Sequence, residues 1–348
     1  MLASAAQAPG TASTGAETYR SACAACHGSD GRGTPRAAVG FDTPLPDFTD
    51  CAFTTSEADI DWHAVVHQGG SVRALDRRMP AFGEALSPQQ IRDVVDHVRG
   101  FCTNTSWPHG DLNLPRPLVT EKAFPENEAF ARISEPYEGF IETRFVYERR
   151  LGARSHVEVA VPFNAHRTFG PWQRGIGDVA AGVKHVLVHS RARGAIVSAG
   201  ASMTFPTGRE ELGLGSRLRT LDTFGLYGQM LAADAFVQVQ AGIETPLNLG
   251  TASREVYWRA AAGKTFLARQ WGRAWSPMAE VLAGRELYAG SHLLWDVVPQ
   301  VQTTLSRRQH VSVNAGVRIP LNIREARRPA LMAYLLWDWF DGDPLEGW

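Results

Sequence analysis

The chain has 348 residues and a formal net charge of −1, with 20% charged and 44% hydrophobic residues. This near-zero charge argues against nucleic-acid binding, which usually leaves a basic patch. No apolar run approaches the roughly 18 residues of a membrane-spanning helix, but alternating strands of a membrane barrel would escape that criterion. The length suggests about two domains.

The first eight residues resemble the end of a secretory leader. Ala6-Gln7-Ala8 fits the A-x-A pattern that precedes a cleavage site, although the basic and apolar regions expected before it are missing. We interpret residues 1–8 as the remnant of a signal peptide. A chance alanine-rich start is the alternative.

The most specific motif is C-x-x-C-H, formed by Cys23, Cys26 and His27. This is the attachment signal for c-type haem, in which two thiols bind the vinyl groups and the adjacent imidazole becomes an iron ligand. A redox C-x-x-C pair expects a βαβ context, and a zinc half-site expects a second ligand pair close by. Neither accompanies this motif, so the sequence predicts one covalently bound haem c.

Met79, followed by Pro80, is the candidate for the second iron ligand. Methionine usually fills hydrophobic cores, but a Met-Pro pair in a loop between two helices is a poor core position. His/Met ligation raises the haem potential and favours electron transfer over oxygen chemistry. His63, His67 and His97 fall at helical positions, and we expect them to be solvated or packed side chains rather than iron ligands.

Residues 86–101 have the pattern of a helix that closes such a domain. Ser87 is a natural N-cap, Pro88 stands at the first helical position and Gly100 follows the last turn. Together with the haem motif and Met79, this helix makes residues 9–105 similar to the class I cytochrome c family. The resemblance implies a small all-α domain that carries electrons.

Two further cysteines lie within this cytochrome-like region, Cys51 in a loop near its middle and Cys102 after its last helix. Haem c is attached outside the cytoplasm, where disulfides persist. We therefore expect a bridge between Cys51 and Cys102, with two buried free thiols as the alternative.

The pattern changes after the proline-rich segment 106–120, which reads as an extended linker. From 121 to 348 apolar and polar residues alternate with period two, which predicts strands. The twelve predicted strands lie near residues 128–135, 139–151, 154–163, 176–190, 194–206, 219–231, 235–247, 254–267, 276–287, 293–305, 309–321 and 329–340. An even set of antiparallel strands predicts a closed barrel of the outer-membrane type in residues 121–348.

Strand ends, connection lengths and the C-terminal aromatic residues support the barrel. Pro162, Pro206, Pro246 and Pro320 mark strand ends at one rim, where connections are long, whereas the opposite connections are short. The aromatic residues Trp337, Trp339, Phe340 and Trp348 resemble the closing strand of an outer-membrane protein. A soluble β-sandwich is the alternative, because alternation does not say which face is the core. The charged face is expected to form a mutually paired polar lumen rather than an ion path.

The whole architecture is thus predicted as a small all-α cytochrome c domain followed by an all-β antiparallel closed barrel. It resembles cytochrome–porin fusions of the bacterial outer membrane. The resemblance implies electron transfer at that membrane, with the cytochrome on the periplasmic side. The implied partners are the lipid bilayer and periplasmic or outer-membrane redox proteins, and the chain is more readily a carrier than an enzyme. A redox-linked solute pore, a periplasmic oxidoreductase with a soluble β domain and an oxidase of an extracellular donor are the alternatives.

Overall fold

The computed structural model describes residues 14–167, 170–248, 252–324 and 327–338. The chain divides into two compact units, one ending at Thr105 and lacking Ser56–Ala58, the other comprising Ser56–Ala58 and Ser106–Trp348. Outside the described residues lie residues 1–8, which we interpreted as the remnant of a signal peptide, and the aromatic residues Trp339, Phe340 and Trp348. No helix within the described ranges is both long and apolar enough to cross a bilayer.

The first unit is built from short helices joined by loops. These are α1 Gly15–Ala22, α2 Ala24–His27, α3 Arg36–Val39, α4 Cys51–Thr54, α5 Asp59–Gln68 and α6 Pro88–Arg99, with a 3-10 turn at Gly70–Arg73. The predicted closing helix α6 begins after the N-cap Ser87, whose hydroxyl accepts a hydrogen bond from the backbone N–H of Gln90, and is followed by Gly100. A side chain at the N-cap satisfies an N–H that the helix itself leaves unpaired.

The core of this unit lies where α1 and α6 meet. Tyr19, Phe48, Val94 and Val98 form its buried apolar cluster. A Cβ on Gly15 would lie 2.1 Å from the carbonyl oxygen of Asp93, so only glycine allows the two helices to approach this closely.

A disulfide joins Cys51, at the start of α4, to Cys102, which follows α6. The two Cα atoms are 5.1 Å apart and the residues are separated by 51 positions. A buried ion pair also ties α5 to α6, because the Arg99 guanidinium lies 2.9 Å from the Asp59 carboxylate. The disulfide and the ion pair therefore hold α4 and α5 against the closing helix α6 and the residue that follows it.

The second unit is a closed ring of twelve antiparallel strands. They are β1 Glu128–Tyr137, β2 Phe140–Leu151, β3 Ser155–His166, β4 Val179–Ser190, β5 Ala195–Phe205, β6 Thr220–Met230, β7 Ala235–Pro246, β8 Glu255–Lys264, β9 Ala274–Glu286, β10 Leu294–Thr304, β11 Val311–Pro320 and β12 Ala330–Asp338. Each pairs with its neighbour, and β12 pairs with β1 to close the ring. Two short strands, Gln173–Ile176 and Phe266–Leu267, extend its edges. The predicted barrel of about twelve strands is confirmed.

The two rims of the ring differ in their connections. Residues 152–154, 191–194 and 231–234 make tight connections at one rim, which we call the short-turn rim, whereas residues 206–219 form a long loop at the other. The first connection, between Tyr137 and Phe140, is a tight exception on the long-loop side. The chain enters β1 and leaves β12 at the short-turn rim, because Glu128 pairs with Asp338 there.

The outer surface of the ring is apolar and its interior is polar. Phe145 and Leu335 are each 53% exposed, whereas their neighbours Glu148 and Tyr334 are almost fully buried. A soluble β-sandwich would bury the apolar face, so this arrangement is that of a barrel whose outside suits hydrocarbon.

The interior is not an open channel, because residues 112–127 occupy it; we call this segment the plug. Its backbone is held by side chains from many strands: the N–H of Leu118 donates to Gln300, and the N–H groups of Val119 and Thr120 donate to Glu280. Only a segment inside the ring can contact strands from all sides. In the segment predicted as a linker, residues 106–120, a 3-10 turn spans Gly110–Leu112, and residues 112–120 are packed within the barrel.

The plug enters and leaves at the same rim. Leu112 and Phe124, which flank its two arms, pack into one buried cluster with Val186 and Ile196. The residues between them reach Glu280, near the middle of β9. The plug is therefore a hairpin-shaped loop that descends from the short-turn rim to about half the height of the barrel.

The disulfide gives a prediction for the stability of the first unit. Replacing Cys51 and Cys102 by serine should lower its free energy of unfolding by about 4 kcal/mol, because the bridge closes a loop of roughly 50 residues in the unfolded chain. Denaturant unfolding followed by haem absorbance measures this. A Ser21→Ala variant serves as a helix-surface control, and an unchanged midpoint in the double-serine variant would contradict the prediction.

Candidate haem-binding site

The three residues of the C-x-x-C-H motif lie on one helical turn. The backbone N–H of His27 donates to the carbonyl of Cys23 at 2.9 Å, and α2 ends at Gly28, whose φ is 75°. Residues at positions i, i+3 and i+4 share one face of a helix. Cys23, Cys26 and His27 therefore face the same side of the chain.

The backbone of this turn is fixed from two directions. The hydroxyl of Tyr19, a fully buried side chain of α1, donates to the carbonyl of Gly28 at 2.8 Å. On the other side, the N–H of Gly33 donates to His27 and the N–H of Thr34 donates to Cys26, at 2.9 and 2.8 Å. The motif is thus rigidly positioned by protein contacts alone.

The imidazole of His27 is stacked on the ring of Phe48, with centroids 4.8 Å apart and planes 27° from parallel. Its Nδ1 atom is buried and has no hydrogen-bond partner among the described residues. Burial lowers the pKa of His27, which favours the neutral ring. A half-buried imidazole with a buried nitrogen that the protein does not satisfy fits a group that binds metal.

The two cysteines of the motif are free thiols rather than a disulfide. Cys23 packs against the apolar cluster of Tyr19, Phe48, Val94 and Val98. This burial, followed by the effect of neighbouring Cys26, raises the pKa of Cys23 to about 11. A pair of thiols beside an apolar cluster and a neutral imidazole is the set of groups that a covalently attached haem requires.

The glycine-rich loop after the motif needs its glycines for its own packing. Gly31 has a φ of 78°, and a Cβ there would lie 2.8 Å from the ring of Phe101. Gly33 has a φ of 80°, and a Cβ there would lie 3.0 Å from the side chain of Leu45. Both positions favour glycine because other residues rarely adopt a positive φ.

Met79 is half-buried and lies on a loop that is bonded to the end of α5. Its carbonyl accepts a hydrogen bond from the N–H of Gly70 at 3.0 Å. The N–H of Phe82 donates to Val66 at 3.0 Å on the other side of the methionine. A Cβ on Gly70 would lie 2.2 Å from the carbonyl oxygen of Asp76, so the loop packs directly on the glycine backbone.

Helix α5 connects this loop with the motif. Its residues Trp62 and Val66 pack against the same apolar cluster as Cys23. The 3-10 turn before the loop is fixed to α5 as well, because Arg73 forms a buried ion pair of 2.6 Å with Asp61. The motif and the methionine loop are therefore both packed against one core, although they are distant in sequence.

Two other histidines of this unit, His67 and His97, are packed against protein groups. His97 lies against Tyr19 and Phe101, with ring centroids 5.2 Å away in both cases. The ring of His67 lies over Gly83, where a Cβ would come within 2.4 Å of it.

The sequence did not single out Phe48 as a site residue, nor Tyr19 as the group that fixes the carbonyl after His27. Both come from outside the motif, and a lone aromatic residue gives no local signal of its partner. Tyr19 offered a weak hint, because it lies one helical turn before Cys23.

Residues 10–98 match the family described as Cytochrome C oxidase, cbb3-type, subunit III. No curated protein matches the sequence. Solved structures that resemble the chain include the KdgM porin, at 8% identity and a TM-score of 0.42, which covers 61% of this chain and 99% of the porin. The COG4313 outer membrane channel from Pseudomonas putida F1 has 14% identity and a TM-score of 0.43, covering 61% of this chain and 94% of the channel.

The sequence match falls on the helical unit that holds the C-x-x-C-H motif. The remainder of the chain closes into a ring of twelve strands by its own pairing. The protein thus consists of a cytochrome c domain of the cbb3 type at its N-terminus followed by a closed antiparallel β-barrel.

Proposed function

We propose that this protein is a monohaem electron carrier of the bacterial outer membrane, held there by its β-barrel. One haem c would be attached through Cys23 and Cys26, with His27 and Met79 as the iron ligands. The observation that carries this proposal is the half-buried His27, whose buried Nδ1 atom has no partner among the described residues, fixed beside two free thiols on an apolar core. The bound haem would supply reversible one-electron chemistry, and no catalytic residue is assigned.

The residues of the chain have distinct tasks in this proposal. The cluster around Tyr19, Phe48 and Val94 would exclude water from a bound haem and so disfavour its charged oxidised state. The glycines at the end of α5 position the loop of Met79, whose sulfur would shift the potential upward as an iron ligand. The rigid backbone of the motif would keep structural change between the two redox states small.

The barrel serves as an anchor in this proposal, and its bilayer partner contacts the apolar outer face. A solute pore would need an open lumen, whereas the plug fills the barrel from the short-turn rim to about mid-height. The barrel interior also offers ion-paired and hydrogen-bonded groups rather than a free path, as Arg116 is paired with Glu128 and Glu148. These features favour the anchor over the redox-linked pore.

The cytochrome domain is proposed to face the periplasm. The chain enters β1 at the short-turn rim, and short turns are the periplasmic ends of such barrels. A single haem there cannot bridge an apolar band of about 25 Å. Electrons therefore have to pass to or from a periplasmic or outer-membrane redox protein.

Replacing Met79 by alanine tests the axial ligand. The variant should retain covalent haem after denaturation and solvent extraction but lose the weak far-red charge-transfer band that marks sulfur ligation, and its potential should fall. Absorbance and redox titration measure both. A Met203→Ala variant, altered in the barrel, is the control, and an unchanged Met79→Ala spectrum would refute the assignment.

Replacing Gly70 by alanine tests the loop without touching a ligand. The added methyl group would collide with the carbonyl of Asp76, so the loop should move and sulfur ligation should weaken while haem stays attached. The same spectra report this. Gly225→Ala, where a Cβ meets no atom within 4 Å, is the matched control. Identical far-red bands in both variants would count against the role of the loop.

Removing the turn of the plug tests the anchor. Excision of residues 113–122 joins Leu112 to Ala123, which lie in one cluster, so the strands need not move. The intact protein should show no stepwise conductance in planar bilayers, whereas the excised variant should. Excision of residues 208–217 from a long loop is the control. Conductance of the intact protein equal to that of the excised variant would favour the pore.

A further inference from the structure

A second cluster of metal-binding side chains lies in the barrel unit, apart from the C-x-x-C-H motif. The Nε2 atom of His310 is 3.7 Å from the Glu57 carboxylate and 3.9 Å from the Asp338 carboxylate. The ligand atoms of all three residues lie within 4.8 Å of one another. The proposed function uses none of these residues.

The separations suit a shared cation better than direct hydrogen bonds. A hydrogen bond between a ring nitrogen and a carboxylate oxygen is about 2.7–3.2 Å long. Two protein atoms that each bind the same zinc ion at about 2.0–2.2 Å are separated by roughly 3.0–4.2 Å, depending on the angle. The observed distances of 3.7 and 3.9 Å fall in the second range.

The burial of the three side chains is compatible with a bound ion. The His310 side chain is only 7% exposed. The Oδ1 atom of Asp338 is buried and accepts no hydrogen bond from any described residue. The side chains of Glu57 and Asp338 are 25% and 20% exposed, so water can reach an ion held between them.

The three residues are also held in place by their backbones. The N–H of Asp338 donates to the carbonyl of His310 at 2.9 Å, where β12 ends beside the turn before β11. The backbone of Glu57 lies against Gly110, since a Cβ there would be 2.2 Å from the Glu57 carbonyl oxygen. A site whose ligands are fixed before binding loses little entropy when the ion arrives.

We propose that Glu57, His310 and Asp338 bind one divalent transition-metal ion of the zinc class. A set of one nitrogen and two carboxylate oxygens matches Zn²⁺ better than Mg²⁺, which prefers oxygen ligands alone, and water would complete the coordination. The ion would link the end of β12, the last strand of the ring, to the turn that precedes β11. The site is independent of the haem.

The test measures metal content of the full-length haem protein in detergent. After treatment with EDTA and incubation with ZnCl₂, elemental mass spectrometry should find one zinc bound per chain in addition to the haem iron. Asp338→Asn and His310→Gln should bind zinc at least tenfold more weakly. His292→Gln, which alters an exposed histidine outside the cluster, should bind as the unaltered protein does.

The outcomes are separable from those of the proposed function. Iron content reports the haem, whereas zinc content reports the new site. Folding of the barrel is checked by the change in its gel migration on heating. If the His310→Gln variant does not fold by this criterion, the nearly isosteric Asp338→Asn and Glu57→Gln variants are compared with the unaltered protein instead. Equal zinc binding by the unaltered protein and by the folded Asp338→Asn variant would overturn the proposal, as would equal competition by MgCl₂.

Discussion

The polar interior of the strand ring is the constraint on which the second unit depends. With its apolar face outward, the ring must satisfy its inward charges and amides from within. The plug supplies what they need: Arg116 lies between Glu128 and Glu148, and Lys122 contacts Glu126 and Glu128. Ion pairs away from water are favourable only where each charge finds a partner. Plug and lumen are therefore one buried network, rather than a channel and an obstacle.

Backbone groups of the plug extend this network. The amide oxygen of Gln300 accepts from Leu118, and its NH₂ group donates to Glu280, which in turn accepts from Thr120. The carbonyl of Arg116 accepts from Asn314 and from the hydroxyl of Tyr334. A chain without regular secondary structure can lie inside a barrel only if side chains replace the missing backbone partners. The polar residues of the strands do so here.

Local patterns in the amino-acid sequence predict most of the fold. Period-two alternation predicted the strands, and capping residues predicted α6, because both signals lie within a few neighbouring positions. The environment of residues 112–127 had no such signal. Proline-rich composition indicates an extended chain but not what surrounds it, and the groups that hold it, such as Lys184 and Glu280, belong to strands far along the sequence. The C-x-x-C-H motif was readable from its spacing, whereas the contact of Phe48 with His27 and the His310 cluster depend on tertiary structure.

The hairpin shape of the plug has a consequence for biogenesis. Since both arms of the plug pass through the same rim, no part of the N-terminal unit has to thread the ring of strands. The strands can therefore close around the plug without any folded part of the chain passing between them. Closing the ring requires only that twelve strands form around a short loop.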